Sequence, residues 1–93
     1  MADTIKEHTA VEFNLFTLKK TLELRKGREY SWAEMAASAG LHHNTVSRIG
    51  TNKTDRVDLA TLARLLAFFR GEGMPVEIQD LFVVTTREEA QER

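Results

Sequence analysis

The feature that most constrains this chain is a spacing. Ser31-Trp32-Ala33-Glu34 is followed by Ala36, Gly40, Val46 and Ile49. A Ser at a helix N-cap accepts from the backbone N–H three residues on, and a Glu there reaches back to the Ser N–H, so the tetrapeptide reads as a capping box. Tyr30 before the cap and Met35 one turn inside can meet as a hydrophobic staple. The pattern predicts a helix over Trp32–Ser38, ended at Gly40 in a left-handed conformation that costs glycine little. A second short helix follows over His42–Ile49, with Val46 and Ile49 on one inward face.

Each position in this run has a physical reason. Ala36 is small where the second helix crosses the first, and Met35, Val46 and Ile49 lock the two into a wedge. Helix, glycine turn, helix in this register is a helix-turn-helix over residues 32–51. The bland alternative is an ordinary corner of a helical bundle.

The flanking segments read as helices too. Val11–Lys26 carries Phe13, Phe16, Leu18, Leu22 and Leu24 in a roughly helical stripe and stops at Gly27. Gly50-Thr51-Asn52 breaks the third helix, since both Gly50 and Asn52 tolerate positive φ. After a polar connector, Asp58 caps a fourth helix to about Arg70, with Leu59, Leu62, Leu65, Leu66 and Phe69 as its buried face. Gly71 and Gly73 form a loop. Pro75 opens a short fifth helix to about Val83, although Phe82-Val83-Val84 also suits a short strand. The expected fold class is therefore all-α with five helices. The expected division is a flexible lead-in over 1–10, one domain over 11–84 and a flexible tail over 85–93. Phe13, Phe16, Phe68, Phe69 and Phe82 read as core.

Composition narrows the chemistry. Ninety-three residues make one domain, and the absence of Cys excludes disulfides, thiolate metal sites and a cysteine nucleophile. No apolar run approaches the ~18 residues a membrane span needs, and the polar N-terminus lacks the pattern of a secretory signal, so a soluble cytoplasmic protein is expected. The histidines are His8 and the adjacent pair His42 and His43. Neighbours on a helix point about 100° apart and rarely share an ion, so no metal is expected. No set of acid, base and nucleophile converges, which argues against an enzyme and against a cofactor. Net charge is −1, but residues 17–56 carry eight basic side chains against four acidic ones. Phosphate binding needs a local basic surface rather than a basic total; solvated helix faces are the competing explanation.

With these motifs in place, the sequence resembles the Cro and phage-repressor (XRE-type) helix-turn-helix family. Leu22-Glu23-Leu24-Arg25 resembles the end of the family's first helix, and Tyr30 to Ala36 its entry into helix two. Asn44-Thr45-Val46-Ser47-Arg48-Ile49 is similar to its recognition helix, and Asn52-Lys53-Thr54 to the segment after it. Arg56 to Leu62 resembles the entry to helix four, and Pro75 to Phe82 the short last helix. Two departures stand out: Trp32 where the family often has Gln, and His42 where the N-cap is commonly Ser or Thr.

The resemblance implies a lambda-repressor-like domain that binds double-stranded DNA and places the start of helix three in the major groove. It aims His43, Asn44, Ser47 and Arg48 at base edges, with Arg48 suited to guanine and Asn44 to adenine. Contacts to the phosphate backbone fall to Trp32, His42, Thr45, Lys53, Thr54 and Arg56, with the N–H groups at the start of helix two as a further anion site. The expected function is a sequence-specific transcriptional regulator, with repressor, Cro-like switch and antitoxin-type autoregulator all compatible. A protein-interaction module on the same fold is the alternative. Homodimers on paired half-sites are expected, through helix five or through Phe68 and Phe69.

Overall fold

The structure, a computed structural model, describes residues 7–88. It contains four α-helices and one two-stranded antiparallel ribbon. In chain order the elements are β1 (Glu7–Phe13), α1 (Leu15–Lys26), α2 (Trp32–Ala39), α3 (His43–Gly50), α4 (Leu59–Gly71), a single 3-10 turn (Ile78–Leu81) and β2 (Phe82–Glu88).

The local signals hold. Ser31 Oγ accepts from the Glu34 N–H at 3.0 Å, and Glu34 accepts from the Ser31 N–H at 2.9 Å, completing the capping box of α2. Gly40 closes α2 at φ 74°, and its neighbour Leu41 returns a backbone bond to Ala36 C=O at 2.8 Å. Asp58 caps α4 by accepting from the Thr61 N–H at 2.8 Å. The core contains Leu15, Leu22, Met35, Ala36, Val46, Ile49, Leu65, Phe69 and Leu81, drawn from every helix. The aliphatic stem of Lys19 and the carboxylate of Glu23 are also covered, and there the carboxylate gathers donors. It accepts from the Tyr30 N–H at 2.8 Å and from Lys19 Nζ at 2.9 Å, with Lys20 Nζ 3.3 Å from its other oxygen.

Several expectations need correction. There is no fifth α-helix. Pro75 to Glu77 form no helix: the Val76 N–H turns back to the Met74 C=O at 2.8 Å across Pro75, one 3-10 turn follows, and the chain enters β2 at Phe82. The alternative strand at Phe82-Val83-Val84 is the form adopted. Residues 11–13 do not begin α1 but end β1, and α1 starts at Leu15. Residues 7–10 and 85–88, read as loose ends, are the outer halves of the same ribbon; residues 1–6 and 89–93 lie outside the described residues. The register sets Val11 opposite Val84 and Phe13 opposite Phe82, whose rings meet at 5.6 Å. A strand partnered about 70 residues away leaves no local signal, and the aromatic residues of 11–18 mimic a helical stripe.

Burial also departs from the stripes. Leu24 and Leu59 are more than 80% exposed, and Phe16 is half exposed. Phe68 and Phe69 are buried against Tyr30 and Met74 in the core cluster, so neither is placed to make a dimer contact.

Two side chains tie α3 to the rest. Asn52, left-handed at φ 56°, accepts from the Phe13 N–H at 2.8 Å and donates to the Phe13 C=O at 3.2 Å. It fastens β1 to the end of α3. Trp32, at the first position of α2, lies under Lys19 Nζ at 5.1 Å and beside Phe16 at 6.5 Å. Its ring edge rests on Gly50, the last residue of α3, where a Cβ would overlap it. Gly50 is thus required by close approach and not by positive φ.

Gly50→Ala is expected to lower stability by about 1–3 kcal/mol through overpacking. Gly71→Ala, where a Cβ meets nothing within 4 Å, should be neutral or slightly stabilising; urea unfolding of both variants checks the contrast. Hydrogen bonds from the Tyr30 N–H and then Lys19 lower the Glu23 carboxyl from 4.5 to about 2. A depressed acid stabilises the fold above its unfolded value, and that contribution is lost as pH falls through the folded value. Thermal melts should therefore show stability declining between pH 4.5 and 2, with a shallower decline in Glu23→Gln.

Candidate nucleic-acid interface

The wedge of α2 and α3 divides the residues of α3 between two tasks. Val46, Ile49 and Gly50 are buried, Thr45 and Ser47 are half-buried, and His43, Asn44 and Arg48 are exposed. This is the helical period at work: positions one turn apart share a face, and the face opposite Val46 and Ile49 looks outward. His42 begins the helix as its N-cap. Its Nδ1 accepts from the Asn44 N–H at 3.1 Å, so an imidazole does what Ser or Thr usually does. Its ring stacks on that of His43 at 4.6 Å. Both His43 and Asn44 are therefore carried on a capped first turn.

An open groove runs along one side of α3. Thr45 and Arg48 contribute from the helix, Lys53, Thr54 and Arg56 from the connector, and Thr61 from α4. The opposite wall is Val11, Glu12 and Phe13 of β1, held there by the Asn52 clamp. The connector is shaped from within: Thr54 Oγ1 accepts from the Arg56 N–H and donates to the Arg56 C=O, both at 3.2 Å, while Lys53 N–H donates to Arg48 C=O at 2.8 Å. The groove brings together five of the ten residues expected to meet DNA, with Thr61 and the β1 wall as additions. The sequence marks Asn52 as tolerant of positive φ and as part of the family-like segment after the recognition helix; its role as a clamp depends on a strand that local pattern does not reveal.

The positive charge is less concentrated than the sequence suggests. Lys19 and Lys20 pair with Glu23, Lys26 pairs with Glu72 at 3.4 Å, and Arg28 pairs with Glu34 at 2.7 Å. Arg25 donates to the Gly73 C=O at 3.1 Å. Among the described residues, Arg48, Lys53 and Arg56 have no carboxylate within ion-pair distance, and these are the cations of the groove. Asp58, a neighbouring acid, has its carboxyl held below the usual range by the Thr61 hydrogen bonds that cap α4.

The start of α2 offers less to an anion than its dipole alone implies. Ser31 and Glu34 consume each other's N–H groups, and the Glu34 carboxylate places a negative charge in the first turn. Trp32 is half-buried under α1 and spans to Gly50, so its main structural work is bracing. Among the described residues, no three His, Asp or Glu side chains gather as a metal site, and no helix is long and apolar enough to cross a membrane.

Comparison with known proteins identifies the family. The sequence profile of the Cro/C1-type helix-turn-helix DNA-binding domain matches residues 22–85, more than half of the chain. No curated protein and no solved structure matches the chain. The matched segment runs from the second half of α1 to the middle of β2 and contains α2, α3 and α4 whole. The chain belongs to the Cro/C1-type family of helix-turn-helix DNA-binding domains.

Proposed function

We propose that the protein is a sequence-specific DNA-binding transcriptional regulator that represses by occupying its operator, and that α3 enters the major groove. The observation that carries this reading is the outward face of α3, whose His43, Asn44 and Arg48 are exposed, with Arg48 joined in the groove by Lys53 and Arg56, three cations that have no carboxylate partner among the described residues. In this reading His43, Asn44, Ser47 and Arg48 read base edges. Arg48 presents a fork of donors to guanine O6 and N7, and Asn44 pairs donor and acceptor with adenine. Thr45, Lys53, Thr54 and Arg56 grip one strand's phosphates along the groove beside α3, and the first turns of α2 and α3, at Trp32 and His42, lie against the backbone. One wedge covers few base pairs, so the protein acts as a homodimer on two half-sites. Its place of action is the cytoplasm, on the chromosome or on phage-type DNA.

A second reading, a protein-interaction module or antitoxin-type regulator on the same fold, draws on the ion pairs of Lys19, Lys20, Lys26 and Arg28. Those pairs leave much of the surface with little positive potential.

Selection of bound duplexes from a random pool, followed by titration against salt, separates the two. A DNA regulator enriches a defined half-site and loses affinity steeply as salt rises. Arg48→Ala is expected to cost about 1–3 kcal/mol and to relax preference at a single base position. Lys53→Ala should weaken all sequences alike and reduce the salt slope by about one. Affinity that is flat in salt and unchanged by Arg48→Ala would overturn the DNA reading.

A further inference from the structure

The β1 wall of the groove carries a donor of its own. In an antiparallel pair, alternate residues turn their backbone groups into the ladder or away from it. One step beyond the Phe13–Phe82 pair, the Asn14 N–H donates across the ribbon to the Leu81 C=O at 2.8 Å. By alternation Glu12 faces β2, whereas Phe13 and Val11 turn their N–H and C=O outward. At Phe13 the Asn52 side chain takes both outward groups. Val11 follows about 7 Å further along the same edge. No bond from outside the ladder reaches its N–H among the described residues. Val11 lines the groove and is 63% exposed. Lys53 and Thr54 come directly after Asn52, so the edge that meets Asn52 faces the connector.

A free donor set opposite cations is completed by an anion. Arg48, Lys53 and Arg56 line the same groove and have no carboxylate partner among the described residues. A third strand also suits a free edge, but Asn52 already holds the next outward position, so a strand entering the groove would stop at Val11. A ligand that offers a single oxygen meets no such stop. The acid of this wall, Glu12, leaves the strand on the ribbon face opposite to Val11 and Phe13, so it flanks the edge and does not cover it. Asp55 and Asp58 belong to the connector side, and Asp58 already accepts from the Thr61 N–H.

We propose that the Val11 backbone N–H donates to a phosphate oxygen of the DNA strand lying in the groove, opposite Lys53 and Arg56. The proposal rests on the DNA reading above and adds β1 to the phosphate grip. A backbone amide has no side-chain rotamers to freeze and carries no charge. It fixes where the phosphate sits, while Lys53 and Arg56 supply the attraction. Its placement relative to α3 is set by the Asn52 clamp, which ties β1 to the end of that helix.

The 93-residue chain is short enough to assemble by chemical ligation, so Val11 can be replaced by its α-hydroxy acid counterpart. The N–H becomes an ester oxygen, while the side chain and the inward ladder bonds are kept. Both chains are titrated with the half-site duplex selected from the random pool and with unrelated duplexes. The ester chain is expected to bind all of them roughly tenfold more weakly. The salt slope should not change, because no charge is lost. Replacing one phosphate at a time by a neutral methylphosphonate locates the partner: at a single phosphate the ester should cost nothing further. Val11→Pro removes the same outward N–H and should give the same loss, and urea unfolding reports which of the two chains keeps the fold. A folded chain of either kind that binds as tightly as the natural one overturns the proposal and leaves the DNA reading intact. So does a loss with a smaller salt slope, which reports displaced cations, or an equal further loss at every methylphosphonate. A natural chain that enriches no duplex overturns both.

Discussion

Helices of eight residues do not persist alone in water, and α2 and α3 have no more than that. Their existence depends on mutual burial, and one close approach in that burial is the Trp32 ring against Gly50, where a Cβ would overlap the ring. The indole spans from α1, through Lys19 and Phe16, across the start of α2 to the last turn of α3. Met35, Ala36, Val46 and Ile49 fill the space behind it. Orientation of α3 relative to α2, and hence of every outward residue on α3, follows from how closely this ring can lie on bare backbone.

A second layer of restraint comes from polar groups with few alternatives. Glu23 collects the Tyr30 N–H and two lysines, fixing the loop between α1 and α2. Asn52 fixes β1 to the far end of α3. The wedge is thus held at its entrance by Glu23 and at its exit by Asn52. The groove that faces the proposed DNA backbone exists because the exit clamp brings Val11 to Phe13 alongside the connector.

What the sequence made legible was local. The capping box at Ser31, the left-handed Gly40, the cap at Asp58 and the inward Val46 and Ile49 are interactions across three or four residues, and each is present. The ribbon was not legible, because Phe13 and Phe82 are neighbours only after the helices have folded. The same non-locality hid the meaning of Asn52 and of Gly50: each is explained by a partner far along the chain. Charge was legible in amount but not in disposition, since Lys19, Lys20, Lys26 and Arg28 turn out to have acidic partners. Leu59 and Leu24 show the limit of stripe reading, as apolar residues at plausible spacing that face outward.

The outward face of α3 has one further consequence. The side chains of His43, Asn44 and Arg48 make no hydrogen bond to any other described residue, and His43 only stacks on His42. Nothing in the core or the clamps depends on their identity. These three positions can therefore be exchanged while the scaffold stays as it is, which in the proposed DNA reading would change the target and not the fold. Gly50 and Asn52, a few residues later, allow no such drift. The boundary between positions free to vary and positions the fold requires falls inside a single stretch of ten residues, His43 to Asn52.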